Sequence, residues 1–237
     1  MNKPNWLFDE SKSVGVDYLD KKLVDQYDNE HKKFRNFDEE VANIAIALGL
    51  TNESVILDIG CGTGELTTRF SNICKHVYAV DASDVMINVL KNKIEKQNIL
   101  NVTTIQSGFL SYNHKGDKLD AVVANICLHH LPDFWKQIAL NRINKILKPC
   151  GKLFLCDVVF DFDPNQYVDA IDSWINEMRA NAGEQVADET IVHVKDEFST
   201  WGWVMSGMLE RANFRIDNNS EIMKNIHIYI CTKYKTL

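Results

Sequence analysis

Proline and glycine are scarce in this sequence, at 4 and 11 of 237 residues, and no stretch is compositionally repetitive. That excludes collagen-like, low-complexity and linker-dominated architectures. The six cysteines, at positions 61, 74, 127, 150, 156 and 231, include no Cys-x-x-Cys pair, and none falls at zinc-finger spacing from a histidine. Neither a disulfide framework nor a metal site is indicated, and the thiols are expected to be reduced and mostly buried. Long apolar runs are also lacking. Nothing approaches the roughly 18 residues a membrane helix needs, and the opening Met1-Asn2-Lys3-Pro4-Asn5-Trp6 has no signal-peptide core. A cytoplasmic protein without membrane association is expected. Positive charge is in deficit, with 26 Lys and Arg against 33 Asp and Glu. The resulting net charge of −7 disfavours broad binding to nucleic-acid backbones.

What is present is average for a globular chain, 45% hydrophobic and 25% charged, and the length suits one large domain or a domain with an insertion. Apolar residues recur at helical spacing at Leu19, Leu23, Val24 and Tyr27, then at Val41, Ile44, Ala45 and Leu48. The pattern breaks near Asn36 and ends at Gly49, so residues 1–50 read as a helical preface or lid. From Ser54, short apolar runs at 55–57, 77–80, 102–105, 121–124 and 153–155 alternate with amphipathic stretches. That rhythm signals βαβ units and a parallel sheet covered on both faces, within a domain over residues 51–237. Between 160 and 211 the strand rhythm gives way to helical spacing at Ile171, Trp174, Ile175 and Met178, which predicts a helical insertion. The runs at 215–222 and 226–231 predict a terminal hairpin.

The strongest local signal is the strand Val55-Ile56-Leu57-Asp58-Ile59 running into Gly60-Cys61-Gly62-Thr63-Gly64. Glycines there let the backbone approach a ligand closely, and a following helix offers free N–H groups. A dinucleotide fingerprint would place its last glycine where Glu65 stands, and a carboxylate there opposes a pyrophosphate. A ligand without phosphates is favoured over a plain tight turn. The next strand ends at Asp81, placed to accept both hydroxyls of a ribose, with a helix-capping role as the alternative.

With Val77-Tyr78-Ala79-Val80-Asp81-Ala82-Ser83 and Met86, the chain resembles the class I S-adenosylmethionine-dependent methyltransferases. The stretches Asp120 to Asn125, Leu128-His129-His130-Leu131-Pro132 and Ile146 to Leu153 extend that likeness over roughly residues 40–158. It implies a doubly wound, Rossmann-like α/β sheet of seven strands, ordered 3-2-1-4-5-7-6, with strand 7 antiparallel. It further implies S-adenosyl-L-methionine as cofactor, held by Asp58, Gly60, Cys61, Gly62 and the ribose-binding Asp81. Ala82 and Met86 would pack on adenine, and Asn125 would line the methionine side. Many members carry Asp where Gly108 stands, so adenine recognition is expected through backbone groups of Gly108 and Phe109.

Methyl transfer from a sulfonium is an in-line displacement, so positioning in a water-poor pocket carries much of it. The Asn/Asp-Pro-Pro-Tyr signature of amino methyltransferases on adenine or glutamine is replaced here by Asn125-Ile126-Cys127-Leu128. Cys127 also lacks the preceding proline of the cytosine carbon methyltransferases and is expected to be a core thiol. The spacing of His129 resembles that of the general base in phosphoethanolamine methyltransferases, with Tyr27, or failing that Tyr18, as the tyrosine that closes over the site. His129 is thus the expected base and His130 a structural neighbour. A small-molecule acceptor is expected, with O- or N-methylation. Methylation of tRNA or protein, and cofactor binding without turnover, are the alternatives.

Overall fold

The computed structural model describes residues 4–12, 14, 15, 24, 28, 32 and 35–234. Helix α1 (Phe37–Leu48) begins where the Asn36 side chain accepts the Glu39 N–H, and it ends at Gly49 in the left-handed region, φ 65°. Its first turn holds three acidic residues, favourable at a helix N-terminus, and Phe37, Val41, Ile44, Ala45 and Leu48 form its buried stripe.

Five parallel strands follow: β1 (Val55–Ile59), β2 (His76–Asp81), β3 (Val102–Gln106), β4 (Leu119–Asn125) and β5 (Leu147–Phe160). Helices α2 (Glu65–Phe70), α3 (Asp84–Gln97) and α4 (Asp133–Ile146) connect them. After β5 come α5 (Tyr167–Ala182), α6 (Glu184–Asp196), the two-residue β6 (Thr200–Trp201) and α7 (Gly202–Arg211). The hairpin of β7 (Phe214–Met223) and β8 (Ile226–Lys233) closes the sheet, with β8 antiparallel to β5. The order is β3-β2-β1-β4-β5-β8-β7, with β6 paired to the end of β5. This is the expected doubly wound topology. The short β6 shifts the numbering of the last two strands by one, because two residues are too few to show periodicity.

Neighbouring residues on each strand feed opposite layers. Ile56, Val77, Val123 and Phe154 pack with α1 and Phe70, whereas Leu57, Val80, Val122 and Leu153 pack with Leu140, Met205 and Leu209. Burying each such side chain contributes roughly 1.5 to 3 kcal/mol, so the core on both faces holds the sheet. Helix α1 belongs to that core, although it falls within the stretch expected to be a lid. The insertion has a small core of its own, Trp174 and Met178 against Val158, at the end of β5. Among the described residues no helix is long and apolar enough to cross a membrane.

Candidate active site

A cleft of about 950 Å³, open solvent at its mouth included, lies at the carboxyl edge of the parallel strands. Gly60, Gly62, Asp81, Ala82, Met86, Gly108 and Phe109 all line it, as do Ile126, Cys127, His130 and Leu131. Its outer wall is Phe8, Glu10, Ser11, Lys12 and Val14.

The glycine loop is latched to β2 by the Gly60 and Cys61 N–H groups, which donate to the Val80 carbonyl at 2.7 and 3.0 Å. Gly60 has φ 71°, and a Cβ on it would sit 2.5 Å from Cβ of Cys127. Only glycine fits there. Gly62, with φ 53°, would meet nothing within 4 Å, so its backbone faces open space. The Asp81 carboxylate accepts the Gly62 N–H at 2.8 Å and the Ser83 N–H at 2.9 Å. Both oxygens are thereby aimed, and each keeps lone pairs toward the cleft. Burial raises its pKa despite these bonds.

Three residues expected at the cofactor do not line the cleft. Asp58 is buried beneath the loop, accepting the Thr67 hydroxyl at 2.5 Å, and burial together with the nearby Asp81 and Glu40 raises its pKa to about 7. Cys61 turns its thiol back on the loop, toward the Gly62 carbonyl at 3.8 Å, and burial pushes its pKa well up. Asn125 donates its amide to Glu40 at 2.8 Å and is drawn toward α1. Glu65, expected to repel a pyrophosphate, is no bare charge. It faces Lys93 at 2.9 Å, Arg69 at 2.7 Å and Lys32 at 3.2 Å, and these partners overcome burial to lower its pKa to about 2.

Glu10 was not foreseen. Its carboxylate accepts the Leu110 and Ser111 N–H groups at 2.8 and 3.0 Å. It also lies where a side chain on residue 108 would begin: a Cβ built on Gly108 would be 2.6 Å from the Glu10 carboxyl carbon. Trp6 stacks on Trp135 at 6.3 Å, and Phe8 packs edge-on to Phe198 at 6.4 Å, pinning this segment across the cleft. Sequence spacing gives no sign of the pairing, because position 10 carries no helical or strand periodicity. Tyr18 and Tyr27 lie outside the described residues.

The two histidines take places opposite to those expected. They sit in a 3₁₀ turn, Leu128–His130, where successive side chains diverge by about a third of a turn. His130 reaches the cleft. His129 is 3% exposed and turns into the protein, with Nδ1 at 2.5 Å from Oδ1 of Asp157 and Nε2 at 3.3 Å from Oε2 of Glu197. Asp157 also accepts the backbone N–H groups of Leu128, His129 and Val158. Burial opposes the charged forms here, yet the facing carboxylates raise the pKa of His129, and His129 lowers that of Asp157. Burial, then the charge on His129, pushes His130 down to about 3. Cys127 donates its thiol to the Ile59 carbonyl at 3.2 Å, with its pKa raised by burial, as a core thiol does.

A family model described as a methyltransferase domain matches residues 56–151. An uncharacterized methyltransferase of Geobacillus kaustophilus is 26% identical over 192 residues, 81% of each chain. Another, from Schizosaccharomyces pombe, is 32% identical over 111 residues, 44% of this chain and 38% of that one. The solved magnesium protoporphyrin IX methyltransferase of Synechocystis PCC 6803, with bound SAH, superposes with a TM-score of 0.65 at 16% identity, covering 92% of this chain and 97% of that one. Glycine loop, aimed Asp81, sheet order and relatives agree in supporting the class I S-adenosylmethionine-dependent methyltransferase superfamily, with the methyltransferase domain matched at residues 56–151. The protein is an enzyme, and S-adenosylmethionine is its cofactor. The residues present fit that group. The backbone at Gly62 leaves open space, Asp81 keeps acceptor positions toward it, and Ala82, Met86 and Phe109 offer apolar surface beside them.

Proposed function

We propose that this enzyme methylates an oxygen or nitrogen of a small cytoplasmic metabolite bound beside His130. The observation that carries the reading is the outer wall. Phe8, Glu10, Ser11, Lys12 and Val14 wall the cleft, and Trp6, Phe8 and Glu10 fasten them, leaving a chamber suited to a metabolite rather than a groove for tRNA or a folded protein. The negative net charge supports the same choice.

Bound S-adenosylmethionine supplies an electrophilic methyl group on a sulfonium. Asp81 accepts the ribose hydroxyls, the Gly60–Gly62 backbone carries the methionine portion, and Ala82, Met86 and Phe109 pack on adenine. Glu10 supplies the acidic acceptor that residue 108 lacks. His130 faces the acceptor as a neutral imidazole. Its low pKa makes it an orienting group rather than a base that strips a proton at neutral pH. The wall excludes water, and alignment does the rest.

Turnover to S-adenosylhomocysteine against a metabolite panel, with unmodified tRNA and a protein extract as parallel acceptors, tests this reading. Turnover confined to the macromolecules would overturn it.

A further inference from the structure

His129, His130 and Glu197 bring one ligand atom each to within 4.8 Å of one another. No sequence spacing announces this, because Glu197 arrives at the far end of the insertion. Backbone pairing fixes its place: the Phe198 N–H donates to the His129 carbonyl at 2.9 Å. A third imidazole, His193, donates to the same Glu197 oxygen from one turn earlier on α6 and is braced by Ser199 at 2.6 Å.

The orientation of His129 is informative. Asp157 already accepts three backbone N–H bonds, so it acts as a carboxylate and the proton between it and His129 belongs to Nδ1. Nε2 is then directed at Glu197, 3.3 Å away, with the Glu197 side chain 2% exposed. A cation fits between an imidazole nitrogen and a carboxylate oxygen at that distance, and a metal ion there competes with a second proton on His129. A carboxylate holding the far nitrogen of a histidine, so that the near one points at a shared centre, is the orienting arrangement of histidine metal sites. The 3.3 Å between His129 and Glu197 is that of two ligands on one ion, since metal bonds of about 2.0 to 2.2 Å place tetrahedral ligands about 3.3 Å apart, and atoms as much as 4.8 Å apart in the set draw together on binding.

We propose that His129, His130 and Glu197 bind a divalent transition-metal ion at the acceptor side of the cleft, with Asp157 orienting His129. Two imidazoles and a carboxylate without a thiolate suit Zn²⁺, Mn²⁺ or Fe²⁺. Three protein ligands leave positions open, and His130, which lines the cleft, puts the ion beside it. An acceptor hydroxyl bound there would be acidified and aimed without a basic side chain. This last step rests on the acceptor lying beside His130, whereas binding of the ion does not.

The test is a titration of the full chain, freed of metal by chelator dialysis, with Co²⁺ followed by visible absorption and displaced by Zn²⁺. One Co²⁺ per chain with intense low-symmetry bands is expected. Asp157→Asn should weaken it about 10- to 100-fold and Glu197→Gln by about 100-fold or more, with His76→Ala unchanged. If Glu197→Gln does not fold, His130→Asn carries the same expectation. No Co²⁺ band in the parent overturns the proposal, as does binding unaltered in the ligand variants, and His129 is then an imidazolium bridging Asp157 and Glu197. Calorimetry with S-adenosylhomocysteine on the same samples reports the cofactor cleft separately. Loss there with Co²⁺ binding intact would count against the cofactor reading alone.

Discussion

The two halves of the cleft are built in different ways. At β1 and β2 the site is mostly backbone: a glycine loop, its N–H groups and one aspartate that those N–H groups aim. At β4 and β5 it is mostly side chains, His129, His130, Asp157 and Glu197, drawn from three separate segments. The first half has a form that any sequence with the same local pattern would repeat. The second depends on where the insertion returns. On the proposed reading, a cofactor common to many enzymes is met by the repeatable half, and the acceptor by the other.

The largest expected effect breaks the side-chain half. His129→Ala leaves Asp157 and Glu197 buried without their shared partner and should cost about 3 to 5 kcal/mol in urea unfolding. A loss below about 1 kcal/mol would show that the cluster is not a buried ionic unit. For the backbone half, Asp81→Ala removes a charged acceptor and should weaken S-adenosylhomocysteine by about 3 kcal/mol or more in calorimetry. Equal binding would refute the ribose assignment.

His130→Ala sharpens the comparison, because it should lower turnover about 100-fold through misplacement of the acceptor while changing cofactor affinity little. A parallel loss of affinity would put His130 in the cofactor half.

Asp58 ties the pH response to the glycine loop. Its pKa is about 7 in the fold against a usual 3.8, so the folded state holds its proton more tightly than the unfolded chain does. This group therefore favours folding most below pH 4, and that contribution is lost as pH rises to about 7, by a few kcal/mol at most. His130, held down to about 3, acts in the opposite sense below about pH 6.5, so the readout is a difference: between pH 4 and 7 the urea midpoint of the parent should fall relative to that of Asp58→Asn. A constant difference would locate the titration elsewhere.

The smallest effect concerns Glu10. Glu10→Ala should weaken S-adenosylhomocysteine by about 1.5 to 3 kcal/mol, and adding Gly108→Asp to that variant should restore much of it. Gly108→Asp alone should be harmful, since its Cβ would meet the Glu10 carboxylate.

Most of the sheet was legible because its signals are short-ranged. An apolar run between glycines and an amphipathic stretch reads the same wherever the rest of the chain goes, so β1 to β5 and the hairpin were all expected. Gly60, Gly62 and Asp81 were legible for the same reason. Asp58 and Cys61 were not, although they stand in the same motif. The motif sets the path of the backbone, while Thr67 and the Gly62 carbonyl decide where those two side chains point.

The sequence by itself determined the run of strands and helices and the glycine loop, since each rests on backbone geometry and on contacts between chain neighbours, while the order of the strands and the cofactor class came with the family resemblance. Only the tertiary structure decided which of two adjacent histidines faces the cleft, what stands against Gly108 and what lies beside Glu197. Those outcomes depend on a 3₁₀ turn, on Glu10 reaching across the sheet to Leu110 and Ser111, and on Phe198 pairing with His129. A side chain's direction is set by its strongest buried partner, and here each such partner comes from a distant part of the chain.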